Sequence, residues 1–545
     1  GNHTVRGKLK KLSVCLCSLI MASSMVACSS SNNSSSDGKT VTLAKELDVI
    51  SMDSSYATDG SSFEAIQATV DGLMTLDAKG NIIPALAKEK ATVSKDGLKY
   101  TYELKDAKWD NGTPVTAKDF VYAWQRTVSN PDAEYNYLYG EGGACVANAD
   151  DIVAGKKKAS DLGVKAVNDT TLEITLSKPC AYFESLMSFP VFYPINQEFA
   201  EEKGDQFALT PENMLACGAF KMTSWETGSK YVLEKNESYY DADAVKVDKL
   251  VFNVVKDLSS SALAFESGDV QFTKLNKDLV DKYKDSDEYT EVLEGYLWYF
   301  QYNFSNEYLA NKNIRKAISL AIDKDDLVNN VLKDGSIAAK GFVPTALATG
   351  PDGKDYRDTA KSYMDTNIDE AKKCWEAGLK ELGVDSIKLS MLFDNADPAK
   401  SSAEYLQSHL QSTLKGLTIE MVAQEKNNRI EMQKSRDFDI SLTRWGPDYA
   451  DPTTYLNLLL TGNSYNYGDY TNKNYDSKME EAANTTDDKT RWELLKEAEG
   501  ICMDDYAVTP IFQVGGASLI SKKVKGIETH AVGVPYIYKN VEVVE

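Results

Sequence analysis

Histidine is nearly absent from this chain: there are three in 545 residues, and beyond the first 27 residues only His409 and His530 remain. So few imidazoles leave little from which to build a histidine-based catalytic pair or a histidine-ligated metal site. His409 falls in a helical pattern and His530 near the end of the chain, so each reads as a surface or packed residue. The familiar enzyme signatures are missing as well. There is no His-Glu-x-x-His, no Gly-x-Ser-x-Gly elbow, no phosphate-binding loop of the Gly-x-x-x-x-Gly-Lys type and no Gly-x-Gly-x-x-Gly fingerprint. A carboxylate pair among the 82 Asp and Glu would not be visible in sequence. Beyond Cys28 the cysteines are Cys145, Cys180, Cys217, Cys374 and Cys502, odd in number, scattered and without a Cys-x-x-Cys pair. That pattern supports neither a disulfide framework nor a zinc site, and buried free thiols are expected. Catalytic residues, metals and cofactors are therefore all expected to be absent.

Positive charge is also scarce. Sixty Lys and Arg against 82 Asp and Glu give a net −22, and without the four basic residues of 1–27 the remainder carries −26. Such a surface repels nucleic acid and anionic lipid headgroups, so neither is expected as a partner. After the N-terminal region no stretch approaches the ~18 consecutive apolar residues of a membrane span.

What the N-terminus does contain is specific. Arg6, Lys8, Lys10 and Lys11 precede an apolar run from Leu12 to Ala22, then small residues, then Met25-Val26-Ala27-Cys28. A charged segment, a short apolar segment and small residues at the cleavage site describe an export signal over 1–27. Cys28 directly after them resembles the lipidated cysteine of bacterial lipoproteins. A Ser/Asn-rich stretch follows to Gly38, suited to a flexible tether over 28–38. Anchoring of the mature chain through Cys28 to the outer face of a Gram-positive-like cytoplasmic membrane is the resulting expectation.

Helical and strand-like patterns alternate irregularly along the rest, which implies a mixed α/β architecture in more than one domain. Apolar Leu98, Tyr100, Tyr102 and Leu104 alternate with polar neighbours as in a half-buried strand. Asn111-Gly112 supplies a turn, and Thr116 with Asp119 three residues later forms a helix start ahead of Phe120, Trp124 and Val128. Ile314, Ile318, Ala321 and Ile322 mark an amphipathic helix within 311–331, followed by a second helical stretch. Segments 369–382 and 402–415 also read as helices, and 438–443 as a strand. That strand runs into Arg444-Trp445-Gly446-Pro447-Asp448, where Gly and Pro end regular pairing.

The run Asp96-Gly97-Leu98-Lys99-Tyr100-Thr101, continued by Lys108-Trp109-Asp110-Asn111-Gly112-Thr113-Pro114-Val115-Thr116-Ala117-Lys118-Asp119-Phe120, resembles the signature of bacterial extracellular solute-binding proteins of family 5. Val121 to Arg126, Ala154 to Lys157, Asp161 to Ala166, Cys217 to Phe220, Leu233 to Asn236, Ile314 to Ala317 and Ala321 to Lys324 continue the resemblance toward its oligopeptide-binding branch. It implies an α/β, periplasmic-binding-protein-like (type II/cluster C) bilobal fold with an extra inserted domain. Residues 39–71, 195–296 and 510–545 would form lobe I, 72–194 the inserted domain and 297–509 lobe II. It further implies a monomer that captures short peptides between the lobes and passes them to a cognate ABC permease.

The site residues follow from the same resemblance. A Trp-x-x-Asp-Tyr-x-x-Pro segment reads here as Trp445, Asp448, Tyr449 and Pro452, with Asp448 meeting the peptide α-ammonium. The backbone of Arg444, Trp445 and Gly446, opposite Thr58, Asp59 and Gly60, would sandwich the peptide by main-chain pairing. Tyr135 would stand near the peptide N-terminus, although the tyrosine-rich run to Tyr139 leaves its alignment open by one residue. Basic residues that some relatives direct at the peptide C-terminus have no match: Asn306, Glu307 and Leu442 stand near those positions. A peptide-pheromone receptor, a binder of another solute, an exported carboxylate hydrolase and a surface adhesin or chaperone are the competing readings.

Overall fold

The computed structural model describes residues 39–545. The expected signal peptide, Cys28 and tether lie outside these residues. Among the described residues no helix is long and apolar enough to cross a membrane.

An eleven-stranded mixed sheet runs through both lobes. Its first half is built on Thr40–Lys45, which lies parallel to Lys249–Val254 on one side and to Phe272–Leu275 on the other. In the second half Ile387–Asp394 is parallel both to Leu417–Gln424 and to Ile440–Trp445. Two long antiparallel strands, Tyr289–Tyr302 and Val508–Ile520, join the halves. Their register is regular from Tyr289↔Leu519 to Leu293↔Gly515, breaks, and resumes at Leu297↔Gln513. An interruption of this kind concentrates twist and bend at one point of a ladder. The break is tightly packed: a Cβ on Gly515 would stand 2.0 Å from the Gly335 carbonyl oxygen, and one on Gly295 would stand 2.3 Å from Ala531 O and 2.6 Å from Pro447.

Side-chain alternation sends the first joining strand into two cores. Trp298, Phe300 and Tyr302 pack with Ile314, Leu389 and Leu442 on one face. Leu297 and Tyr299 pack with Phe342, Leu456 and Leu495 on the other. A separate four-stranded sheet, Thr92–Val93, Lys99–Glu103, Thr171–Thr175 and Val164–Asn168, lies in the expected inserted region. Tyr100 and Tyr102 are buried while Lys99 and Glu103 are exposed, as the alternation predicts. The helix Ala117–Val128 starts where expected, with the Thr116 N–H donating to the Asp119 carboxylate at 3.0 Å. The Trp124 Nε1–H donates to the Phe192 carbonyl at 2.9 Å, tying this helix to the chain that returns toward the large sheet. The helical reading of 311–331 resolves into Lys312–Ala321 and a separate pair of turns from Lys324 to Leu332, because Ile322 is extended and Asp323 caps the restart. All five cysteines among the described residues are buried free thiols.

Candidate functional site

The strand Ile440–Trp445 delivers Arg444 and Trp445 to the sheet end, where Trp445 stands opposite Leu297 of the joining strand. The chain then leaves the sheet at Gly446-Pro447. Pro447 has no N–H for the ladder, and a Cβ at Gly446 would strike the Tyr296 ring at 2.5 Å. The loop that follows is fixed at three points. Arg491 grips Asp451 bidentately at 2.8 and 2.7 Å, both side chains being buried. The Tyr455 hydroxyl reaches the carbonyl oxygens of Gly295 and Trp445. The Asp448 N–H donates to Thr454 Oγ1 at 3.0 Å.

Asp448 is thus held half-buried on a preset loop. The Tyr137 hydroxyl donates to its Oδ1 at 3.3 Å, and among the described residues no lysine or arginine pairs with it. Burial pushes its carboxyl up to about 6, against the opposing effect of the Tyr137 hydrogen bond. A carboxylate in this state has an unmet demand for a cation, since an opposite charge within reach restores the ionised form.

Tyrosines surround it. Tyr135 is packed among Phe63, Phe189 and Tyr137, with ring centroids 5.9–6.0 Å apart. Its hydroxyl is pushed up to about 12, first by burial and then by the charge of Asp448, with Asp59 also contributing. Tyr135 therefore stands within electrostatic reach of both expected walls of the site. On the second wall Asp59 caps the helix Gly60–Thr69, its Oδ2 accepting from the Ser62 N–H at 3.0 Å, while its Oδ1 has no partner among the described residues. Thr58 is exposed, and Gly60 abuts Pro535, which would lie 3.2 Å from an added Cβ.

The remaining expected residues take distinct places. The Trp445 ring leans on Tyr465 at 4.8 Å, and its Nε1–H is buried without a partner among the described residues. The Arg444 guanidinium lies over Tyr296 at 4.7 Å and Trp298 at 5.9 Å. Tyr449 is buried and stacks on Tyr182 at 3.9 Å with planes 4° apart, a contact that ties this loop to the segment carrying Tyr182. Tyr137 and Tyr182 were not singled out by sequence, and the structure gives them the contacts with Asp448 and Tyr449. Asn306 hydrogen-bonds to Asp439 at 3.1 Å and Leu442 is fully buried, so neither position offers a cation.

A cavity of about 710 Å³ opens beside this loop, between Tyr100, Cys145, Cys180 and Tyr182 on one side and Thr453, Asn457 and Arg491 on the other. Asp448 does not line it. Tyr182 lines the cavity and stacks on Tyr449, the residue next to Asp448, so the stack links the cavity to the Asp448 loop.

Comparison with known proteins agrees with this architecture. Residues 81–467 match the family model for bacterial extracellular solute-binding proteins, family 5. The chain belongs to that family. A dipeptide-binding protein of Lactococcus lactis subsp. cremoris (strain MG1363) is 35% identical over 537 residues, covering 95% of this chain and 96% of that protein. Listeria monocytogenes OppA bound to peptide superposes with a TM-score of 0.71 at 37% identity, covering 93% of this chain and 99% of that one. The murein tripeptide-binding protein MppA in its unliganded open form is 26% identical yet gives a TM-score of 0.81, covering 93% and 98%.

Proposed function

We propose that this family member is the peptide-capturing component of an ABC importer, and that it holds the peptide between its lobes by the α-ammonium and the main chain. The observation that carries the reading is Asp448: half-buried, preset by its loop, pushed toward neutrality and without a cation among the described residues. A peptide α-ammonium supplies that cation once per ligand, which also fixes the register. Charge-assisted hydrogen bonds of this type are among the strong ones. The strand end Arg444–Gly446 and the segment Thr58–Gly60 supply main-chain groups for pairing that reads no side chain. The division into lobe I, inserted domain and lobe II at the boundaries expected from sequence is part of the proposal, with the register break near Gly295 and Gly515 as the hinge. In this reading the protein binds and releases its ligand unchanged, acts as a monomer, avoids nucleic acid and hands peptide to a membrane permease.

The family is extracellular, and we propose that this chain is held at the membrane through a lipidated Cys28. Cell fractionation of Cys28→Ala should find the protein released from membranes or unprocessed; normal processing and retention would count against the anchor. The binding reading is tested by native mass spectrometry of the purified protein. Co-purifying peptides of mixed sequence are expected. A protein that carries none and gives no calorimetric signal with free-amine peptides of any length from two residues upward would contradict it.

A further inference from the structure

Cys145 and Cys180 meet on the wall of the 710 Å³ cavity. The two residues are 1% and 3% exposed, and both thiols donate to one acceptor, the Gly143 carbonyl, at 3.7 and 3.5 Å. Sharing a single oxygen gathers both sulfurs at one carbonyl. The neighbouring Cys180 thiol draws the Cys145 thiol down from its ordinary value, while burial pushes Cys180 well up.

The backbone holds the pair in place. Cys145 sits at φ +58°, in the left-handed region that non-glycine residues adopt at a cost. Its N–H donates to Gly140 O and its carbonyl accepts from the Ser177 N–H, both at 2.8 Å. Val146 and Leu176 form an antiparallel bridge. The segment carrying Cys180 is thereby registered against the one carrying Cys145. Two residues beyond Cys180 stands Tyr182, whose ring stacks on Tyr449, the neighbour of Asp448.

We propose that Cys145 and Cys180 form a redox-active pair that closes to a disulfide outside the cytoplasm and so stiffens the Tyr182 segment beside the ligand site. The oxidant is a low-molecular-weight disulfide that enters by the cavity. The Cys145 thiolate attacks one of its sulfurs, breaking that S–S bond and forming a mixed disulfide while one small thiol leaves. Cys180, losing its proton to solvent, then attacks Cys145 Sγ, and the second small thiol leaves. Two protein thiols are oxidised to one disulfide, and one small disulfide is reduced to two thiols. Exchange through a mixed disulfide is the normal course of this chemistry, and an extracellular setting allows the product to persist.

The test is to treat the full chain with oxidised glutathione, alkylate the remaining thiols, digest, and map the products by mass spectrometry. The wild type should yield a cross-linked peptide joining Cys145 to Cys180, lighter than the two reduced peptides by two hydrogens. Cys217→Ala should leave that product unchanged, and Cys180→Ala should trap glutathione on Cys145. Full alkylation of both thiols in the wild type, glutathione retained on either, or a cross-link to another cysteine would overturn the proposal. Its consequence for binding rests on the peptide reading above. Calorimetry should show a several-fold difference in peptide affinity between oxidised and reduced wild type that disappears in Cys180→Ala. A cross-link with equal affinities in the two states would overturn the coupling to the site. The cross-link itself is read without peptide, so its failure is distinguishable from failure of the peptide reading.

Discussion

Tyr137 and Asp448, 311 positions apart in the chain, meet with the Tyr137 hydroxyl 3.3 Å from Asp448 Oδ1. One side of this contact belongs to the turn Glu134–Tyr139 and the other to the loop that follows the strand Ile440–Trp445, so the carboxylate takes its donor from a remote part of the chain. A donor to a carboxylate stabilises its charged form, the form that pairs with an ammonium.

Removing that donor should therefore weaken peptide binding. Hydrogen bonds to charged groups contribute about 1.5–3 kcal/mol, and each 1.4 kcal/mol is about tenfold in affinity. Tyr137→Phe should raise the Kd for a free-amine peptide by about tenfold or more. Tyr135→Phe keeps its ring packing against Phe63 and Phe189 and loses no hydrogen bond to Asp448, so it should change affinity much less. Titration calorimetry on both variants checks the order, and a larger loss from Tyr135→Phe would reverse the assignment.

The pH dependence follows from Asp448. Burial pushes its carboxyl up to about 6, above its ordinary 3.8. The native state thus holds this proton more tightly than the unfolded chain. The group's contribution to stability is fully present below 3.8 and is lost as pH rises through about 6. Binding runs the other way, because the ammonium requires the ionised carboxylate. Affinity for free-amine peptides should be nearly constant well above pH 6 and fall below it, approaching tenfold per pH unit. Tyr135 and Tyr137 are both pushed upward and do not titrate in this window. N-acetylated peptides should lack the dependence, and calorimetry at a series of pH values decides the matter.

The loop itself depends on Arg491 and Asp451. Removing one partner of a buried ion pair leaves the other charge stranded, at a cost of about 3–5 kcal/mol. Arg491→Met should lower the thermal midpoint and weaken peptide binding, because the Asp448 loop loses its anchor. The double variant Arg491→Met/Asp451→Asn should recover part of the stability, since it removes the stranded charge. Additive losses in the double variant would show that the pair does not act as a unit.

The parts of this structure that were legible in sequence are those set by local periodicity or by a local motif. Tyr100 and Tyr102 alternate with polar residues and are buried in a strand. Thr116 and Asp119 start the helix that carries Phe120 and Trp124 into the core. Asp448 was singled out because it follows a strand end in a segment that resembles the family's, and the structure places it on a loop beside the Tyr137 hydroxyl. Tyr137 was not, because Glu134–Tyr139 is a tight 3-10 turn. In such a turn the tyrosine that faces a distant carboxylate is set by the rotation of the turn, not by spacing. The Tyr182–Tyr449 stack, the Arg491–Asp451 pair and the meeting of Cys145 with Cys180 are long-range contacts. Neither their periodicity nor their composition marks them. The close approach at Gly295 was invisible for the same reason: its neighbours, Ala531 and Pro447, come from two remote segments.

The central claim is that Asp448 receives the peptide α-ammonium, and a double-mutant cycle measures it most directly. Affinity is determined by calorimetry for wild type and Asp448→Asn, each with one peptide in free-amine and N-acetylated forms. Losing one partner of a desolvated charge pair costs about 3–5 kcal/mol, against about 0–1 kcal/mol for an exposed pair. Each single change should weaken binding by roughly a hundredfold or more. The two together should cost little more than either alone, because they disrupt one interaction. Equal binding of acetylated and free peptides to the wild type, or fully additive losses across the cycle, would contradict the account.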